Sequence, residues 1–373
     1  MSMNQALWLP AKGATPEVRP APVPTPGQGQ IVIRAACVAI NPIDWILQQV
    51  GSLIFPFLRY PLVLGWDVAG EVVAVGAGVS RFKVGDRIVG LAVGQDKSVN
   101  DPVEGAFQHH PLLRDHMATP IPPSLTWEQA AVLPLAISTA ACCLFQSAHL
   151  ALDPPTVSPH SNGKTVLIWG GSTSVGSNAI QLAVAAGYEV VTTASPRNHA
   201  YVRQLGASAV FDYKSRTVVR DIVQFLKGKT LAGAVAIGAG SAPLCVAIMG
   251  ACTGRKYVAI ASPPVSFDDA PEHGRRGPWL AGKLFRMVRG TVGVMLRGRL
   301  KGVHSGFVNG SSLLNDGVGR MIFTEFLPGA LASGQFRSSP EPIMAGAGLE
   351  AIPNALERHR KGGVSAGKLV VTL

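Results

Sequence analysis

A glycine-rich turn is the part of this sequence whose residue types and spacing most clearly suggest chemistry. A short apolar run, residues 165–169, leads into Gly170, Gly171, Ser172, Thr173, Ser174, Val175 and Gly176, and a helical stretch follows. This order is the first half of a βαβ unit. The first N–H groups of such a helix have no partner within the helix, and its dipole favours an anion. The turn therefore predicts a pyrophosphate site.

The glycines of this turn have distinct predicted roles. Gly170 permits the tight turn, Gly171 and the small Ser172 let the backbone approach a ligand, and Gly176 lets the helix pack against the strand. A glycine turn alone is weak evidence, because such turns are common for steric reasons. Here a second strand, residues 188–193, follows at the spacing that one βα unit requires. This context favours a dinucleotide site.

The end of the second strand indicates which dinucleotide binds. An NAD site needs an acidic residue about twenty positions after the glycine turn, to accept hydrogen bonds from the ribose hydroxyls. The sequence instead has Ser195, Pro196, Arg197 and Asn198 there. A hydroxyl, a guanidinium and an amide suit a 2′-phosphate, which arginine can bind with two hydrogen bonds. We therefore predict NADPH as the cofactor.

The composition predicts a compact, loop-rich protein of two domains. The chain has 373 residues, of which 47% are hydrophobic, with 42 glycines and 28 prolines. The first residues do not form a secretory signal, and the longest uncharged apolar stretch, residues 130–145, is shorter than a membrane span and contains Pro134. Five cysteines without C-x-x-C spacing predict buried free thiols in a reducing compartment. We expect no transmembrane segment and a cytoplasmic location.

The formal net charge of +11 is concentrated in one stretch. Between Glu272 and Asp316 the sequence has no acidic residue and these basic ones: Arg275, Arg276, Lys283, Arg286, Arg289, Arg297, Arg299 and Lys301. Apolar residues are interleaved with them, so Lys283 and Arg286 can share one face of a helix whose other face is apolar. Such a helix can bind a membrane surface or an acidic partner. We favour instead a solvated face over ordinary core, and expect no nucleic-acid partner.

The first third of the chain predicts a small antiparallel β-barrel. Short β-like runs are broken by proline and glycine; the first good strand is residues 31–38, and others lie within residues 62–78 and 84–89. Residues 41–45 are predicted as a turn. Residues 92–116 are predicted as a polar, irregular surface loop near the site.

From residue 124 onward the sequence predicts regular alternation of helix and strand. Ser124 or Thr126 can cap a helix with Glu128 and Gln129 in its first turn, and a second helix is expected at about residues 137–150. After the glycine turn, strands at 188–193, 209–211, 234–236 and 256–260 alternate with helices at 198–205, 217–226 and 242–249, and residues 304–308 add a sixth strand. This series predicts a doubly wound parallel sheet. Helices follow at about 317–332 and 349–361, and residues 368–373 are expected to pair back into the barrel.

Several motifs together resemble the medium-chain dehydrogenase/reductase superfamily over nearly the whole chain. They are Asn41-Pro-Ile-Asp44, Gly65-Trp-Asp-Val-Ala-Gly-Glu71, Val84-Gly-Asp-Arg87, Ser138-Thr-Ala140, Gly170-Gly-Ser-Thr173, Leu205-Gly-Ala207 and Gly367-Lys-Leu-Val-Val371. The chain is most similar to the zinc-free quinone and enoyl reductases, especially the trans-acting enoyl reductases that assist polyketide synthases, whose Ser-Pro-x-Asn reappears at residues 195–198. The resemblance implies an α/β fold: a GroES-like antiparallel barrel domain, residues 1–136 and 311–373, and a Rossmann domain, residues 137–310, with the active site in the cleft between them.

The zinc ligands of the superfamily are missing from this sequence. Zinc alcohol dehydrogenases place a Cys, a Gly-His-Glu and a second Cys where this chain has Asn41, Gly65-Trp66-Asp67 and Leu135. No other Cys or His cluster has tetrahedral ligand spacing. The three histidines of one loop, His109, His110 and His116, are expected to be solvated. We therefore predict no metal.

The resemblance implies further residues of the cofactor site. Tyr213 matches a tyrosine that contacts the adenosine phosphate in the resembling enoyl reductases, and Val364 and Ser365 are expected to approach the cofactor from the C-terminal segment. That segment also fits the G-x-S-x-G nucleophile elbow, but neither Asp nor His follows it, which argues against a hydrolase. The remaining predicted cofactor contacts are Ile43, Asp44, Trp45, Thr139 and Ile260.

The predicted chemistry is hydride transfer from NADPH to the β-carbon of an activated C=C bond in an enoyl thioester, enone or quinone, in polyketide-type secondary metabolism. Without zinc no Lewis acid polarises an isolated ketone, whereas a conjugated alkene delocalises the charge onto a distant oxygen. Resembling enoyl reductases have a lysine after Asn-Pro-x-Asp-Trp, and this chain has Ile46 there. Asn41, Thr139 and backbone N–H groups remain as donors to the enolate. The α-carbon proton can come from water, so no general acid is assigned.

The substrate pocket and the partners are predicted with alternatives. Trp45, Trp66, Leu133 and Leu135 are expected to line a pocket for a bulky apolar substrate, free or presented by a carrier, or else to be ordinary core. The function itself has two alternatives: a cofactor-binding scaffold or redox sensor without turnover, and a repurposed enzyme that catalyses another step on a similar substrate. We favour a monomer over a homodimer paired through the strand at residues 304–308.

Overall fold

The computed structural model describes residues 4–271 and 276–373, without the side chain of Arg276. Arg275, at the start of the predicted basic stretch, lies outside the described residues. The chain divides into two compact units: unit 1 is Met1–Ser138 with Leu314–Leu373, and unit 2 is Thr139–Leu313. These bounds differ by at most three residues from the domain bounds expected from the sequence.

The described residues form strands and helices throughout both units. The strands are β1 (Asn4–Leu9), β2 (Glu17–Ala21), β3 (Gln30–Ala39), β4 (Leu62–Val63), β5 (Asp67–Val75), β6 (Arg87–Leu91), β7 (Leu112–Arg114), β8 (Ala118–Pro120), β9 (Lys164–Trp169), β10 (Glu189–Thr193), β11 (Ala209–Phe211), β12 (Thr230–Ala236), β13 (Thr253–Gly254), β14 (Tyr257–Ile260), β15 (His304–Phe307), β16 (Glu341–Ala347) and β17 (Gly367–Thr372). The helices are α1 (Pro42–Val50), α2 (Trp127–Ala131), α3 (Pro134–Phe145), α4 (Ser174–Ala185), α5 (His199–Gln204), α6 (Val218–Phe225), α7 (Ser241–Ala251), α8 (Arg276–Lys301), α9 (Gly317–Arg320), α10 (Leu327–Ala332) and α11 (Ile352–Arg360).

Unit 1 is built mainly on antiparallel β-structure, as predicted, with one parallel pair between β16 and β17. Its larger sheet has the order β16-β17-β3-β5-β6-β8, with β7 also paired to β3, and a second sheet has the order β2-β1-β4. The β-branched run at the start of β3 is fully buried, which favours a central strand. β17 pairs antiparallel with β3, with Val370 opposite Ala39. The expectation that the C-terminal residues return to the barrel is confirmed.

Residues 41–45 form the start of a helix, so the predicted turn is wrong. Asn41 is the N-cap of α1 and Pro42 is its first helical residue. Both types are common in turns, but Asn is also a preferred N-cap. Pro suits the first helical position because its missing N–H would have no partner within the helix. The Asp44 carboxylate accepts a hydrogen bond from the Asn41 backbone N–H at 2.8 Å and closes the first turn.

Residues 92–116 are largely buried, so the prediction of a polar surface loop is also wrong. Phe107 is fully buried. The polar side chains of the segment are held inside by specific partners: Gln108 Nε2 donates to a backbone carbonyl at 2.7 Å, and Glu104 pairs with Arg114 at 3.1 Å. Such pairing removes the cost of burying polar groups, and the local sequence does not reveal it.

The helices between the barrel and the glycine turn form as expected, with shifted bounds. The Thr126 hydroxyl accepts from the Gln129 N–H at 3.2 Å, and the Gln129 side chain accepts from the Thr126 N–H at 3.0 Å, which is a capping box. α3 begins at Pro134 rather than near residue 137. The stretch Trp127–Phe145 is long and apolar enough to cross a membrane, but 83% of its apolar window is buried inside the protein. It packs as a core element.

Unit 2 is a doubly wound parallel sheet, as predicted. Its strand order is β11-β10-β9-β12-β14-β15, with the short β13 beside β12, and these pairs are all parallel. Helices α4 to α7 connect successive strands. The order reverses at β9, which is the topological switch point of this architecture. All five cysteines of the chain are free thiols, and only Cys252 is not fully buried.

The orientation of α8 differs from the prediction that its basic face is solvated and its apolar face covers ordinary core. It packs on unit 2 through Val294, which is 5% exposed and belongs to the core of the unit. Gly290 allows the close approach, because a Cβ there would lie 2.9 Å from Pro264. Gly298 closes the end of the helix, where its carbonyl accepts from the Val303 N–H at 2.8 Å. The helix therefore buries its small residues, and its larger apolar side chains lie on the other side.

Candidate functional site

The carboxyl ends of the unit 2 strands are aligned across the sheet. In register, one residue from each strand forms a row: Phe211, Thr193, Trp169, Ala236, Ile260 and Phe307. The loops that follow these residues leave the sheet at the same edge. Ligands of doubly wound sheets bind in the crevice at this edge, where the strand order reverses. The glycine turn follows Trp169 and lies at this switch point.

The glycine turn is held to the neighbouring strands by its backbone. Gly170 has φ +90°, which favours glycine, and its N–H donates to the Thr193 hydroxyl at 3.0 Å. A Cβ at Gly176 would lie 2.2 Å from the Gly170 carbonyl oxygen, so the predicted packing role of Gly176 is confirmed. A Cβ at Gly171 would lie 2.2 Å from Thr192 Oγ1. Gly171 is thus required by contact with β10, a reason that the sequence analysis missed.

The first turn of α4 leaves backbone donors open. Thr173 is the N-cap: its hydroxyl accepts from the Gly176 N–H at 3.0 Å and donates to the Gly170 carbonyl at 2.8 Å. Within the described residues, no acceptor is found for the N–H groups of Ser174 and Val175. These donors lie at the positive end of the helix dipole and can bind an anion such as a diphosphate.

The predicted adenosine-binding residues follow two adjacent strands. Ser195, Arg197 and Asn198 come directly after β10, and Tyr213 comes after β11. The Ala194 N–H donates to the Phe211 carbonyl at 3.0 Å, which ties the two strand ends together. Arg197 is exposed, Ser195 is half-buried and Asn198 is buried. Tyr213 is 42% exposed, and the Lys214 ammonium lies 5.9 Å from the centre of its ring. These positions place a guanidinium and an aromatic ring beside the crevice.

A second glycine segment at the same edge was not predicted from the sequence. Gly238 and Gly240, after β12, have φ +95° and +81°, and a Cβ on either would meet open space. The Gly238 N–H donates to the Ser262 hydroxyl at 2.9 Å, which connects the loop after β12 to the loop after β14. Ile260 ends β14 nearby in register. The signal that could have revealed this segment is Gly-Ala-Gly between a strand and a helix.

The N-terminal end of α1 in unit 1 is closed by its own carboxylate. Asp44 has no exposed surface, and burial raises its pKa to about 8. Its carboxylate bonds the Asn41 N–H. The side chain of Asp44 is thus enclosed within unit 1, and its role as a cofactor contact stays a prediction.

The three positions that hold zinc ligands in resembling dehydrogenases surround Asp67. The Asn41 amide donates to one Asp67 carboxylate oxygen at 2.8 Å, and the Leu135 N–H donates to the other at 2.6 Å. Trp66 is the neighbour of Asp67 in the chain. The Lys368 ammonium pairs with Asp67, and both side chains are at most 3% exposed. The carboxylate is thus neutralised by a cation of the chain itself.

The Lys368 ammonium also affects a neighbouring histidine. His359 has a pKa lowered to about 4, first because of burial and second because of the charge of Lys368. Its Nδ1 accepts a hydrogen bond from Trp45 Nε1 at 3.1 Å, so the ring is held in its neutral form. In the described residues, no group of three or more His, Cys, Asp or Glu side chains is arranged to hold a metal ion.

The predicted pocket residues are mostly core. Trp45 and Trp66 are each 6% exposed and Leu133 is 1% exposed, whereas Leu135 is half-buried. Trp66 Nε1 is buried without a hydrogen-bond partner in the described part of the chain. Thr139, on α3, is half-buried and belongs to unit 2. The other candidates of unit 1 are Ile43 and Val364, which are half-buried, and Ser365, which is exposed. Ile46, at the position of the lysine of resembling enzymes, is half-buried.

The sequence has clear relatives among known proteins. Residues 27–123 match the family described as alcohol dehydrogenase GroES-like domain. The chain is 49% identical over 375 residues to dehydrogenase pigH of Monascus ruber, with 100% of both chains covered. It is 38% identical over 377 residues to trans-enoyl reductase himH of Aspergillus japonicus, which covers 100% of this chain and 98% of that one.

Solved structures have the same fold. The CurK enoyl reductase matches with a TM-score of 0.71 at 18% identity, over 100% of this chain and 99% of that one. A mycobacterial protein solved in complex with NADPH matches with a TM-score of 0.67 at 21% identity, over 100% of both chains. At these identities the similarity shows the fold.

Proposed function

The chain belongs to the medium-chain dehydrogenase/reductase superfamily and is an oxidoreductase of that family, and we propose that it is an NADPH-dependent, zinc-independent reductase of activated C=C bonds. The substrate class is an enoyl thioester, enone or quinone. The names of two similar proteins, a trans-enoyl reductase and an enoyl reductase, support this choice. The observation that carries the proposal is the N-terminal end of α4, where the N–H groups of Ser174 and Val175 are available to an anion. No acidic residue directly follows the neighbouring strand β10.

The residues around this helix end fit a dinucleotide. The N–H groups of Ser174 and Val175 would hold the diphosphate, and the backbone from Gly170 to Thr173 would lie along it. A side chain at Gly171 or Gly176 would collide with the chain itself, so this geometry is fixed before any ligand binds. Preformed donors bind an anion without the cost of reorganisation.

The residues after β10 favour a 2′-phosphate over a free ribose. Arg197 can form two hydrogen bonds to a phosphate, Ser195 and Asn198 can add a hydroxyl and an amide, and Tyr213 can lie against the adenosine. No carboxylate stands at the end of β10 to accept from ribose hydroxyls. Preference for NADPH over NADH follows from this donor set, in line with the NADPH-complexed protein of the same fold.

The side chains around Asp67 support the proposed metal independence. The amide of Asn41, the indole of Trp66 and the isobutyl group of Leu135 occupy the ligand positions, and none of them is a strong ligand for zinc. The one carboxylate is paired with Lys368, whose positive charge would repel a metal cation. Stoichiometric zinc found by elemental analysis, or loss of activity with a chelator, would contradict this part of the proposal.

When bound, NADPH supplies a hydride to the β-carbon of the substrate. The chain must then hydrogen-bond the enolate oxygen of the substrate. Thr139 offers a hydroxyl, and the Asn41 amide has one N–H beyond the one that Asp67 accepts. A backbone N–H can serve in the same way. Because Ile46 stands where resembling enzymes have lysine, we assign the α-carbon proton to water.

The test is single-turnover oxidation of bound NADPH. The protein is mixed with NADPH and then with an enone, an enoyl thioester, a quinone or a simple ketone, while the absorbance of the reduced nicotinamide is followed. We expect oxidation by at least one of the first three and none by the ketone. Oxidation by the ketone alone would overturn the proposed chemistry. Tight NADPH binding without oxidation by any acceptor would indicate a scaffold or sensor, and conversion of a substrate without oxidation of NADPH would indicate a repurposed enzyme.

A further inference from the structure

The long helix α8 exposes an apolar stripe on the side opposite its contact with unit 2. The stripe consists of Phe285, Val288, Val292, Met295 and Leu296, whose side chains are between 46% and 69% exposed. The spacing of three and four residues puts them on one face of the helix. Contiguous apolar surface of this kind is rare on a protein that has no partner for it.

The orientation of α8 is fixed by its other face. Lys283 is 5% exposed, and its ammonium bonds the Ser266 carbonyl at 2.5 Å and Asp269 at 2.6 Å. Val294 lies in the core of unit 2. Since Lys283 and Val294 are on the same side of the helix, at about 100° per residue, the stripe must face away from the unit.

Arginines border the stripe on one side. Arg286, Arg289 and Arg297 are exposed, and at about 100° per residue they lie along one flank of the stripe; we call them the arginine flank. Arg299 is also exposed and continues the line of the stripe at the C-terminal end of the helix, beyond Leu296. From 276 to 301 the helix has no acidic residue, so this surface is apolar along its centre and positive along one edge and at its C-terminal end. An occupant must therefore be apolar and negatively charged.

We propose that this face of α8 docks on an anionic lipid surface. A helix of 26 residues is about 39 Å long and can lie in the interface with the stripe among the acyl chains and the arginine flank at the headgroups. A second copy of the chain fits poorly, because it would bring arginine against arginine. An acidic protein fits less well, because the stripe is convex and offers no hydrogen-bonding side chain, whereas protein interfaces carry about one hydrogen bond per 100–200 Å².

The experiment is co-sedimentation of the full chain with vesicles. We expect binding to vesicles in which about a third of the phosphatidylcholine is replaced by phosphatidylserine, weaker binding to pure phosphatidylcholine, and weakening by salt. The variant Arg289→Gln/Arg297→Gln should bind the anionic vesicles about 30-fold more weakly. The variant Val288→Ser/Val292→Ser should lose about tenfold or more of its affinity for the anionic vesicles. Serine and valine have similar helix propensities, so α8 should stay helical.

Matched controls separate the stripe from general surface effects. Val84 and Val157 are 60% and 55% exposed elsewhere on the chain, so Val84→Ser/Val157→Ser should bind like wild type. The variant Arg59→Gln/Arg358→Gln removes two other exposed arginines. Its loss of affinity for the anionic vesicles should be smaller than that of the arginine-flank variant. The proposal is overturned by absence of vesicle binding, by equal binding to both vesicle types, or by equal loss in the controls.

Two further results would assign the stripe to another occupant and overturn the proposal. One is a dimer in sedimentation velocity that Val288→Ser/Val292→Ser converts to monomer, which would indicate a second copy. The other is binding of a polyglutamate peptide that the same variant abolishes while vesicle binding stays unchanged, which would indicate an acidic protein. NADPH binding should stay the same in all these variants, because none of the altered residues belongs to the proposed cofactor site.

Discussion

The N-terminal ends of α1 and α4 have similar capping residues, but their backbone N–H groups find different partners. Each has a polar capping residue, Asn41 or Thr173. In α1 the side chain of Asp44 completes the cap, because its carboxyl oxygen accepts a hydrogen bond from the Asn41 N–H at 2.8 Å. In α4 the cap is an uncharged hydroxyl, and two N–H groups stay open among the described residues. A helix end with its own carboxylate stabilises the fold, whereas one without it can take an anion from outside.

The same contrast extends to the charges around the two helices. In unit 1, Asp67 and Lys368 neutralise each other in the interior, and His359 stays neutral beside them. In unit 2, Arg197 stands exposed at the carboxyl edge, and among the described residues it has no carboxylate partner. Paired, buried charges affect the stability of the fold. Exposed, unpaired charges are available to bind a ligand. The predictions below test each side of this division.

The largest expected effect is on stability in unit 1. Lys368→Met removes the cation and leaves the Asp67 carboxylate buried without its charge partner. Breaking a buried ion pair in this way costs about 3–5 kcal/mol. We expect the free energy of unfolding, measured by urea denaturation, to fall by this amount.

Two variants control this measurement. Lys361 is 65% exposed and pairs with Glu357 at 3.2 Å, so Lys361→Met should cost less than about 1 kcal/mol. Asp67→Asn together with Lys368→Met should recover much of the loss, because no buried charge then remains. Equal effects of Lys361→Met and Lys368→Met would contradict the view that unit 1 holds a structural charge pair.

The second prediction concerns acid sensitivity. The pKa of His359 is lowered from 6.5 to about 4 in the folded protein. Stability from its neutral form is therefore complete above about pH 6.5 and is lost as the pH falls towards 4. We expect wild type to lose about 2.5 kcal/mol more than His359→Gln between about pH 7.5 and 4.5. Parallel stability profiles for the two proteins would show that His359 is not held neutral.

The sequence predicts the glycine turn well and the buried charges poorly, for a physical reason. The conformations of Gly170 and Gly176 are set by neighbours within a few residues, so the local pattern carries the information. The environment of Asp44 is set by residues that are distant in the chain, since the charges of Asp67 and Lys368 both act on its pKa. Local reasoning therefore assigned residues 41–45 to a turn.

The sequence-based prediction of which face of α8 is buried is wrong for a related reason. Its sequence shows both an apolar and a basic face, and the larger apolar residues suggest the buried side. The packed side is set instead by where a small residue permits close approach, at Gly290. Hydrophobic periodicity predicts that a helix is amphipathic, but it does not say which face meets the protein.

The third prediction concerns the exposed charge of unit 2, Arg197, at the proposed cofactor site. Arg197→Ala removes the guanidinium proposed to bind the 2′-phosphate. A hydrogen bond to a charged group contributes about 1.5–3 kcal/mol, so NADPH affinity in a fluorescence titration should fall about 10- to 150-fold, with NADH affinity nearly unchanged. Arg203→Ala, at an exposed position of α5, is the matched control. An equal loss of both cofactors in Arg197→Ala would assign the arginine to the fold rather than to the phosphate.

The smallest expected effect separates the cap of α4 from its open donors. The Thr173 hydroxyl makes two hydrogen bonds, from the Gly176 N–H and to the Gly170 carbonyl, and loss of an N-cap costs about 1 kcal/mol. Thr173→Ala should therefore lower the free energy of unfolding by about that amount, and Thr173→Ser, which keeps the hydroxyl, by much less. If the N–H groups of Ser174 and Val175 hold the diphosphate, NADPH affinity should fall less than about tenfold in either variant, because these donors do not depend on the hydroxyl. Loss of NADPH binding in Thr173→Ala at unchanged stability would mean that the Thr173 hydroxyl itself binds the diphosphate, and it would contradict the assignment of this role to the open N–H groups.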